Sequence, residues 1–96
     1  MLEHTPGMGR MTLDDYNLRA IGDDIRDEIA RAAIYPPFNS AHEGYAVILE
    51  EMDELKNHVW MKQKNRNVVE MRKEAIQVAA MAVKFVQMLD ATKGRK

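Results

Sequence analysis

Residues 75–86 read AIQVAAMAVKFV, and this stretch decides the fold because it is apolar on almost every side of a helix. Only Gln77 and Lys84 interrupt it, so no polar face recurs with the helical period. A helix that is apolar all round is buried all round. The rest of a small chain can hardly surround such a helix, so we predict that a partner subunit covers part of it.

A first helix is predicted upstream of this stretch. Thr12 and Asp15 form a plausible N-cap pair for its start. The helix should end at the segment Tyr35-Pro36-Pro37-Phe38, because the residue before a proline is pushed out of the α region. Its apolar residues recur at spacings of three and four, which is typical of an amphipathic helix: Leu18, Ile21, Ile25, Ile29 and Ala32.

A second helix should open at Ser40, because Ser40 and Glu43 match the S-x-x-E capping box. One apolar stripe along this helix predicts the side that faces the core: Ile48, Met52, Leu55 and Val59. The opposite side of this helix is mostly polar, with Glu51 at its flank, and carries these residues: Glu43, Val47, Glu50, Glu54 and Asn57.

A polar turn is predicted at residues 62–66, before the third helix. Asn67 and Glu70 repeat the capping pattern and should begin that helix. Gly94 is expected just past its end, where glycine is favoured. The chain is therefore predicted to be all-α, a three-helix antiparallel bundle completed by oligomerisation.

The length of 96 residues favours one domain, which we place at residues 12–93. Residues 1–11 show no sustained period and are predicted to form a flexible N-terminal arm. Residues 94–96 are predicted to form a basic tail. A domain of this size buries only about 60–65% of its unfolded surface, so an isolated monomer would be marginally stable.

Composition excludes several classes of function. The chain has no cysteine, so it has neither a disulfide nor a thiolate zinc site. Its net charge of −1 argues against a nucleic-acid partner, which usually requires a basic excess. No apolar run approaches the roughly 18 residues of a membrane span, and the N-terminus lacks the apolar region of a signal peptide. We therefore predict a soluble, cytoplasmic protein.

Carboxylates cluster in the stretch EEMDE, residues 50–54. Residues three or four apart share a helix face, and like charges there destabilise a helix by about 0.2–0.5 kcal/mol per pair. A hard divalent cation would remove this repulsion, since Mg²⁺ binds carboxylate oxygens and keeps waters for substrate phosphates. Standing alone, such a cluster is more often a solvated acidic face.

A second acidic position, Glu74, follows the predicted turn. The connection is short, so the second and third helices should pair as an αα-hairpin. Glu54 and Glu74 lie at similar distances from the turn, and antiparallel pairing brings them to similar heights within about one helical turn, 5.4 Å. This register places the acidic positions of the two helices where they could share a metal ion.

The pattern Glu50-Glu51-x-x-Glu54 followed by Glu74-x-x-Gln77 resembles the signature of the MazG-like all-α nucleoside triphosphate pyrophosphohydrolases. That signature is E-E-x-x-E on one helix and E-x-x-D on the next. The flanking phrases HEGYAVIL at 42–49 and EAIQVAAMA at 74–82 are similar to a small phage and bacterial branch. The resemblance covers roughly residues 38–90.

The resemblance implies a bundle completed by dimerisation, as a homodimer or a homotetramer. It also implies hydrolysis of a nucleoside triphosphate between its α and β phosphates, with Mg²⁺ as cofactor and Mn²⁺ as an alternative. The resemblance implies that four glutamates are catalytic and also bind the metal: Glu50, Glu51, Glu54 and Glu74. It implies Gln77 as a further metal ligand.

Four residues are candidates for contact with the substrate. Lys84 follows Gln77 by two turns on the same face and could reach a phosphate, with Lys73 or Arg72 as weaker candidates. Trp60 could stack on the base, although packing is the commoner role of a lone aromatic residue.

Gln77 stands where the family has aspartate, which leaves three outcomes open. Another carboxylate such as Glu70 or Glu43 could replace the missing negative charge. Alternatively, metal affinity falls, or hydrolysis is lost while nucleotide binding remains. The alternative function is therefore a non-catalytic, nucleotide- or partner-binding helical oligomer. Glu43 and Glu70 are expected to act as caps, and His58 has no evident partner for a metal site.

Overall fold

The computed structural model describes residues 17–94. All regular secondary structure in this part of the chain is helical. Helix α1 spans Leu18–Ala32, α2 spans Ala41–Val59, and α3 spans Val68–Gly94. A short 3₁₀ helix, Gln63–Asn65, occupies the predicted turn between α2 and α3. The predicted all-α class is confirmed. The predicted arm and the Thr12–Asp15 cap lie outside the described residues.

Ser40 and Asn67 cap the N-termini of α2 and α3, as predicted. Ser40 Oγ accepts a hydrogen bond from the Glu43 N–H at 3.1 Å, and Asn67 Oδ1 accepts one from the Glu70 N–H at 3.1 Å. The carboxylate of Glu43 accepts the N–H of Asn39, where a capping box would use that of Ser40. These bonds satisfy backbone donors that have no partner inside a helix.

The expected ends of α1 and α3 are corrected by the structure. Helix α1 already ends at Ala32, before the Tyr35-Pro36 pair is reached. Helix α3 runs through Gly94, which was expected beyond its end. Glycine stops a helix by adopting a positive φ, and no glycine of residues 17–94 does so.

Helix α3 is the central element, and α1 and α2 each pack against it. Phe38, Ala80 and Met81 are buried at the centre of the core. Partly buried side chains from all three helices surround them: Ile25, Ile29, Ala32, Val47, Ile48, Phe85 and Met88. An ion pair of 2.8 Å between Arg72 and Asp24 also joins α1 to α3, but both groups are partly exposed and such pairs contribute little.

The predicted core side of α2 is correct for Ile48 and Leu55, but the observed side is rotated about the helix axis away from Met52 and Val59. Met52 and Val59 were expected in the core but are 50% and 41% exposed. Val47 was expected opposite the core but packs against it. The side that meets α3 consists of these residues: Gly44, Val47, Ile48, Glu51, Leu55 and His58.

The reason for this rotation is the surface that α3 presents. Phe85 approaches α2 at Gly44, the only position on that side without a Cβ. Nearer the turn, Glu74 and Gln77 of α3 meet Glu51. Polar groups therefore lie opposite polar groups, and the aromatic ring lies opposite the glycine.

We predict that Gly44→Ala destabilises the protein by about 1–3 kcal/mol, the usual cost of overpacking. An added Cβ would lie 2.5 Å from Phe85 Cδ1 and 2.9 Å from Phe38 Cδ2. The matched control is Gly22→Ala in α1, where a Cβ has no neighbour within 4 Å. We expect the control to gain about 0.5–1 kcal/mol from helix propensity. Urea denaturation followed by circular dichroism measures both, and equal stability of the two variants would contradict the packing.

Candidate metal centre

Three carboxylates from α2 and α3 converge on one point. Glu51, Glu54 and Glu74 each offer one oxygen, and these oxygens all lie within 4.8 Å of one another. Helix α2 supplies the first two because residues three apart share a face. The pairing of Glu54 with Glu74 agrees with the register expected from the sequence. We call these three residues the acidic cluster.

The acidic cluster extends from the protein interior to the solvent. Glu74 is 9% exposed, and among the described residues it is the only buried polar or charged side chain. Glu51 is half-buried, and Glu54 is exposed. A ligand would therefore approach from the side of Glu54, with Glu74 at the base of the site.

No basic side chain neutralises the acidic cluster in the part of the chain that is described. The ion pairs of residues 17–92 all involve α1, and none includes Glu51, Glu54 or Glu74. Burial raises the pKa of Glu51, and repulsion from Glu54 and Glu74 raises it further. Burial also raises the pKa of Glu74, and the charge of Glu54 and a hydrogen bond with it act in the same direction. The cluster is short of positive charge.

Gln77 lies against two members of the acidic cluster. With its amide oriented to donate, the nitrogen lies 3.0 Å from Glu74 Oε1 and 3.0 Å from Glu51 Oε1. The amide thus stabilises two neighbouring carboxylates without adding charge. The reverse orientation would turn an oxygen toward the same point, where it could serve as a neutral metal ligand.

A second group of donors adjoins the first and contains Glu70, which the sequence offers as a compensating carboxylate, and His58, for which the sequence shows no metal-binding partner. His58 and Glu70 each bring one donor atom within 4.8 Å of the other and of an oxygen of Glu74. The available signal was spacing, since His58 follows Glu54 by four residues and Glu70 precedes Glu74 by four. Glu70 caps α3 only through its backbone N–H, which leaves its carboxylate available.

A cavity of about 550 Å³ adjoins the acidic cluster. Its volume falls within the range of about 300–1,000 Å³ that is common for small-molecule sites. Glu51 and Gln77 belong to its wall, so the cavity reaches the cluster directly. The remaining wall comes from all three helices and from the segment that follows α1, including these residues: Glu28, Arg31, Tyr35, Phe38, Glu43, Val47, Met81 and Lys84.

Lys84 and Glu28 are two of the charged residues in the cavity wall. The Lys84 ammonium group lies 4.8 Å from the centroid of the Phe38 ring, a cation–π distance. Glu28, which the sequence analysis did not select, lies in the same wall, pairs with Arg31 at 2.8 Å and contributes to the raised pKa of Glu51.

The other predicted site residues lie further from the acidic cluster. Glu50 is exposed and belongs to neither donor group, although its charge helps to raise the pKa of Glu51. Lys73 is exposed, and its charge acts to lower the pKa of Glu74. Trp60 is 77% exposed at the end of α2 and does not line the cavity.

Comparison of the chain with protein-family models, with curated proteins and with solved structures finds no match. The resemblance to MazG-like enzymes therefore stays a prediction from the motif residues of the sequence. Among the described helices, none has both the length and the apolar character needed to cross a membrane.

We predict that the metal-free protein loses stability, relative to a Glu74→Gln variant, as pH rises from about 4.5 toward neutrality. The pKa of Glu74 is raised from an ordinary value of 4.5 in the folded state. In the window between the two pKa values the folded chain binds more protons than the unfolded chain. The free energy of unfolding therefore falls as pH increases.

Urea denaturation across this pH range, in the presence of a chelator, measures the difference. The control is Asp53→Asn, which removes an exposed carboxylate of α2 outside the acidic cluster. If wild type and Glu74→Gln change in parallel with pH, the described burial of Glu74 is wrong.

Proposed function

We propose that this protein is a Mg²⁺-dependent nucleotide pyrophosphohydrolase of the MazG-like kind. It would cleave a (deoxy)nucleoside triphosphate to the monophosphate and pyrophosphate. One observation carries the proposal: three carboxylates that have no cationic partner among residues 17–92 converge beside a cavity of about 550 Å³. The motif E-E-x-x-E with E-x-x-Q supplies the reaction class through its resemblance to that family.

The donor set fits a hard divalent cation. Glu51, Glu54 and Glu74 offer only carboxylate oxygens, which suit Mg²⁺ or Mn²⁺. A bound ion would lower the pKa of a coordinated water and neutralise phosphate charge. Glu74 would hold the buried side of the ion, and the exposed Glu54 would leave coordination positions open to solvent and substrate. Gln77 would orient Glu51 and Glu74 through its amide.

The cavity wall provides groups suited to a nucleotide. Lys84 and Arg31 are cations in the same wall as Glu51, and either could pair with phosphate oxygens. Tyr35 and Phe38 provide aromatic surface for a base. This arrangement supports Lys84 as a substrate-binding residue more strongly than the exposed Lys73 and Trp60. Glu50 stays a predicted ligand that would have to reach the cluster from its flank.

The alternative function is a helical oligomer that binds a nucleotide or a partner without hydrolysis. Gln77 favours it, because the amide donates to two carboxylate oxygens that would otherwise bind metal. Gln77→Asp separates the two functions. In an enzyme it adds a ligand charge and should raise both Mg²⁺ affinity and turnover. In a binding protein it should raise Mg²⁺ affinity alone.

We predict that wild type with Mg²⁺ releases pyrophosphate, not orthophosphate, from at least one common ribo- or deoxynucleoside triphosphate. Glu54→Gln and Glu74→Gln should each abolish turnover, because each removes a ligand charge from the acidic cluster. Asp53→Asn should retain it, since Asp53 lies outside the cluster. Circular dichroism establishes that each variant is folded.

Failure of wild type to release pyrophosphate from any of these triphosphates, with either Mg²⁺ or Mn²⁺, would end the enzyme proposal. Calorimetric titration with a non-hydrolysable triphosphate then tests the alternative. Binding without turnover supports it, and the absence of both metal and nucleotide binding contradicts both functions.

Self-association is part of the proposal and rests on two exposed apolar stripes, which we call the uncovered face. On α2 the stripe contains Tyr45, Leu49, Met52 and Val59, and on α3 it contains Ala75, Ala82, Val86 and Leu89. Their spacings of three, four and seven place each stripe on one helix side. Val86 follows Gln77 by nine residues, about half a turn away, so the stripe of α3 lies on the opposite side of that helix from Gln77.

We predict that the protein sediments as a dimer or tetramer at micromolar concentration and that Val86→Glu shifts it toward monomer. Val86 is 53% exposed in one chain, and a charge placed there would be buried without a partner in the oligomer. The matched control is Gln87→Glu, which adds the same charge at the next, exposed residue but outside the stripe. A monomeric wild type, or equal effects of the two variants, would contradict the uncovered face as an interface.

A further inference from the structure

His58, Glu70 and Glu74 bring three metal-binding donors together at the end of the hairpin next to the turn. One ring nitrogen of His58 and one oxygen of each glutamate lie within 4.8 Å of one another. Ligands of a tetrahedral zinc ion, at about 2.0–2.2 Å from the metal, lie roughly 3.5 Å apart. Small rotations of the three side chains would therefore complete such a site.

No cation pairs with these donors in residues 17–92, although Gln77 donates a hydrogen bond to Glu74. His58 Nδ1 is fully buried and is the one buried side-chain nitrogen or oxygen of the described residues that has no hydrogen-bond partner. Leaving such a group unpaired costs about 1–3 kcal/mol. Glu74 is nine-tenths buried and pairs with no cation in the described chain. The unpaired Nδ1 is an observation separate from the carboxylates, because it leaves a buried ring nitrogen of His58 available to a ligand.

The chemistry of this group differs from that of the acidic cluster. Three carboxylates carry a formal charge of about −3 and offer only hard oxygens, which suit Mg²⁺. One neutral imidazole with two carboxylates carries about −2 and includes a borderline nitrogen donor. Imidazole favours zinc, cobalt and nickel over magnesium. The two groups share Glu74, so its carboxylate would belong to both sites.

We propose that His58, Glu70 and Glu74 form a second divalent-cation site, distinct in donor type from the acidic cluster, which takes a transition-metal ion such as Zn²⁺ or Co²⁺ in preference to Mg²⁺. The site requires no nucleotide and no hydrolysis, so it does not depend on the proposed enzymatic activity. It shares with that proposal only the side chain of Glu74.

Titration of the metal-free, untagged protein with Co²⁺ tests the site, because protein-bound Co²⁺ with a nitrogen ligand gives a visible absorption band. We expect wild type to show one saturable band that Zn²⁺ displaces and that millimolar Mg²⁺ does not. His58→Ala should lower Co²⁺ affinity by at least about tenfold. His42→Ala is the matched control, since His42 is an exposed histidine at the other end of the same helix, and it should keep the wild-type band.

Two further variants keep the test decisive. Glu70→Gln, at the start of α3, removes a ligand without changing the backbone cap, and we expect a loss of Co²⁺ affinity of at least about tenfold. Glu51→Gln alters the acidic cluster alone and should leave the Co²⁺ band in place while weakening Mg²⁺ binding.

Absence of a band in wild type would overturn the proposal. So would a wild-type Co²⁺ affinity in a folded His58→Ala variant or in Glu70→Gln. Failure of pyrophosphate release with an intact Co²⁺ band would remove the enzyme proposal and leave the second site standing.

Discussion

The burial of Glu74 is the constraint on which the arrangement of α2 and α3 depends. This carboxylate lies in a helix that is otherwise apolar over most of its surface, and α2 must meet it with polar groups. Glu51, Glu54 and His58 are those groups, and together they fix the rotation of α2 about its axis. At the other end of the contact Gly44 admits Phe85, so the polar end and the apolar end of the contact both require the same orientation.

The acidic cluster opposes folding in the absence of a cation. Burial and mutual repulsion raise the pKa of both Glu51 and Glu74, and no basic side chain of residues 17–92 pairs with either. Gln77 offsets part of this repulsion by donating to both carboxylates. Groups held together at a cost in stability are typical of functional sites, where a ligand supplies the missing interaction.

Helix α3 has two different environments on its opposite sides. One side carries Glu74, Gln77 and Lys84 toward the acidic cluster and the cavity, and the other carries the apolar stripe around Val86. If a second chain covers that stripe, as we propose, the metal-binding groups gain a more rigid support without contributing to the interface. Association and catalysis would then depend on separate residues of one helix.

The sequence by itself determined the three helices, the caps at Ser40 and Asn67, the turn at residues 62–66 and the pairing of Glu54 with Glu74. These features depend on local bonds and on counting residues from a turn. Only the tertiary structure decided the core side of α2, the exposure of Met52, and the approach of His58 and Glu28 to the carboxylates. The spacing of apolar residues shows which sides of a helix are hydrophobic. It does not show whether such a side packs against the same chain or stays exposed.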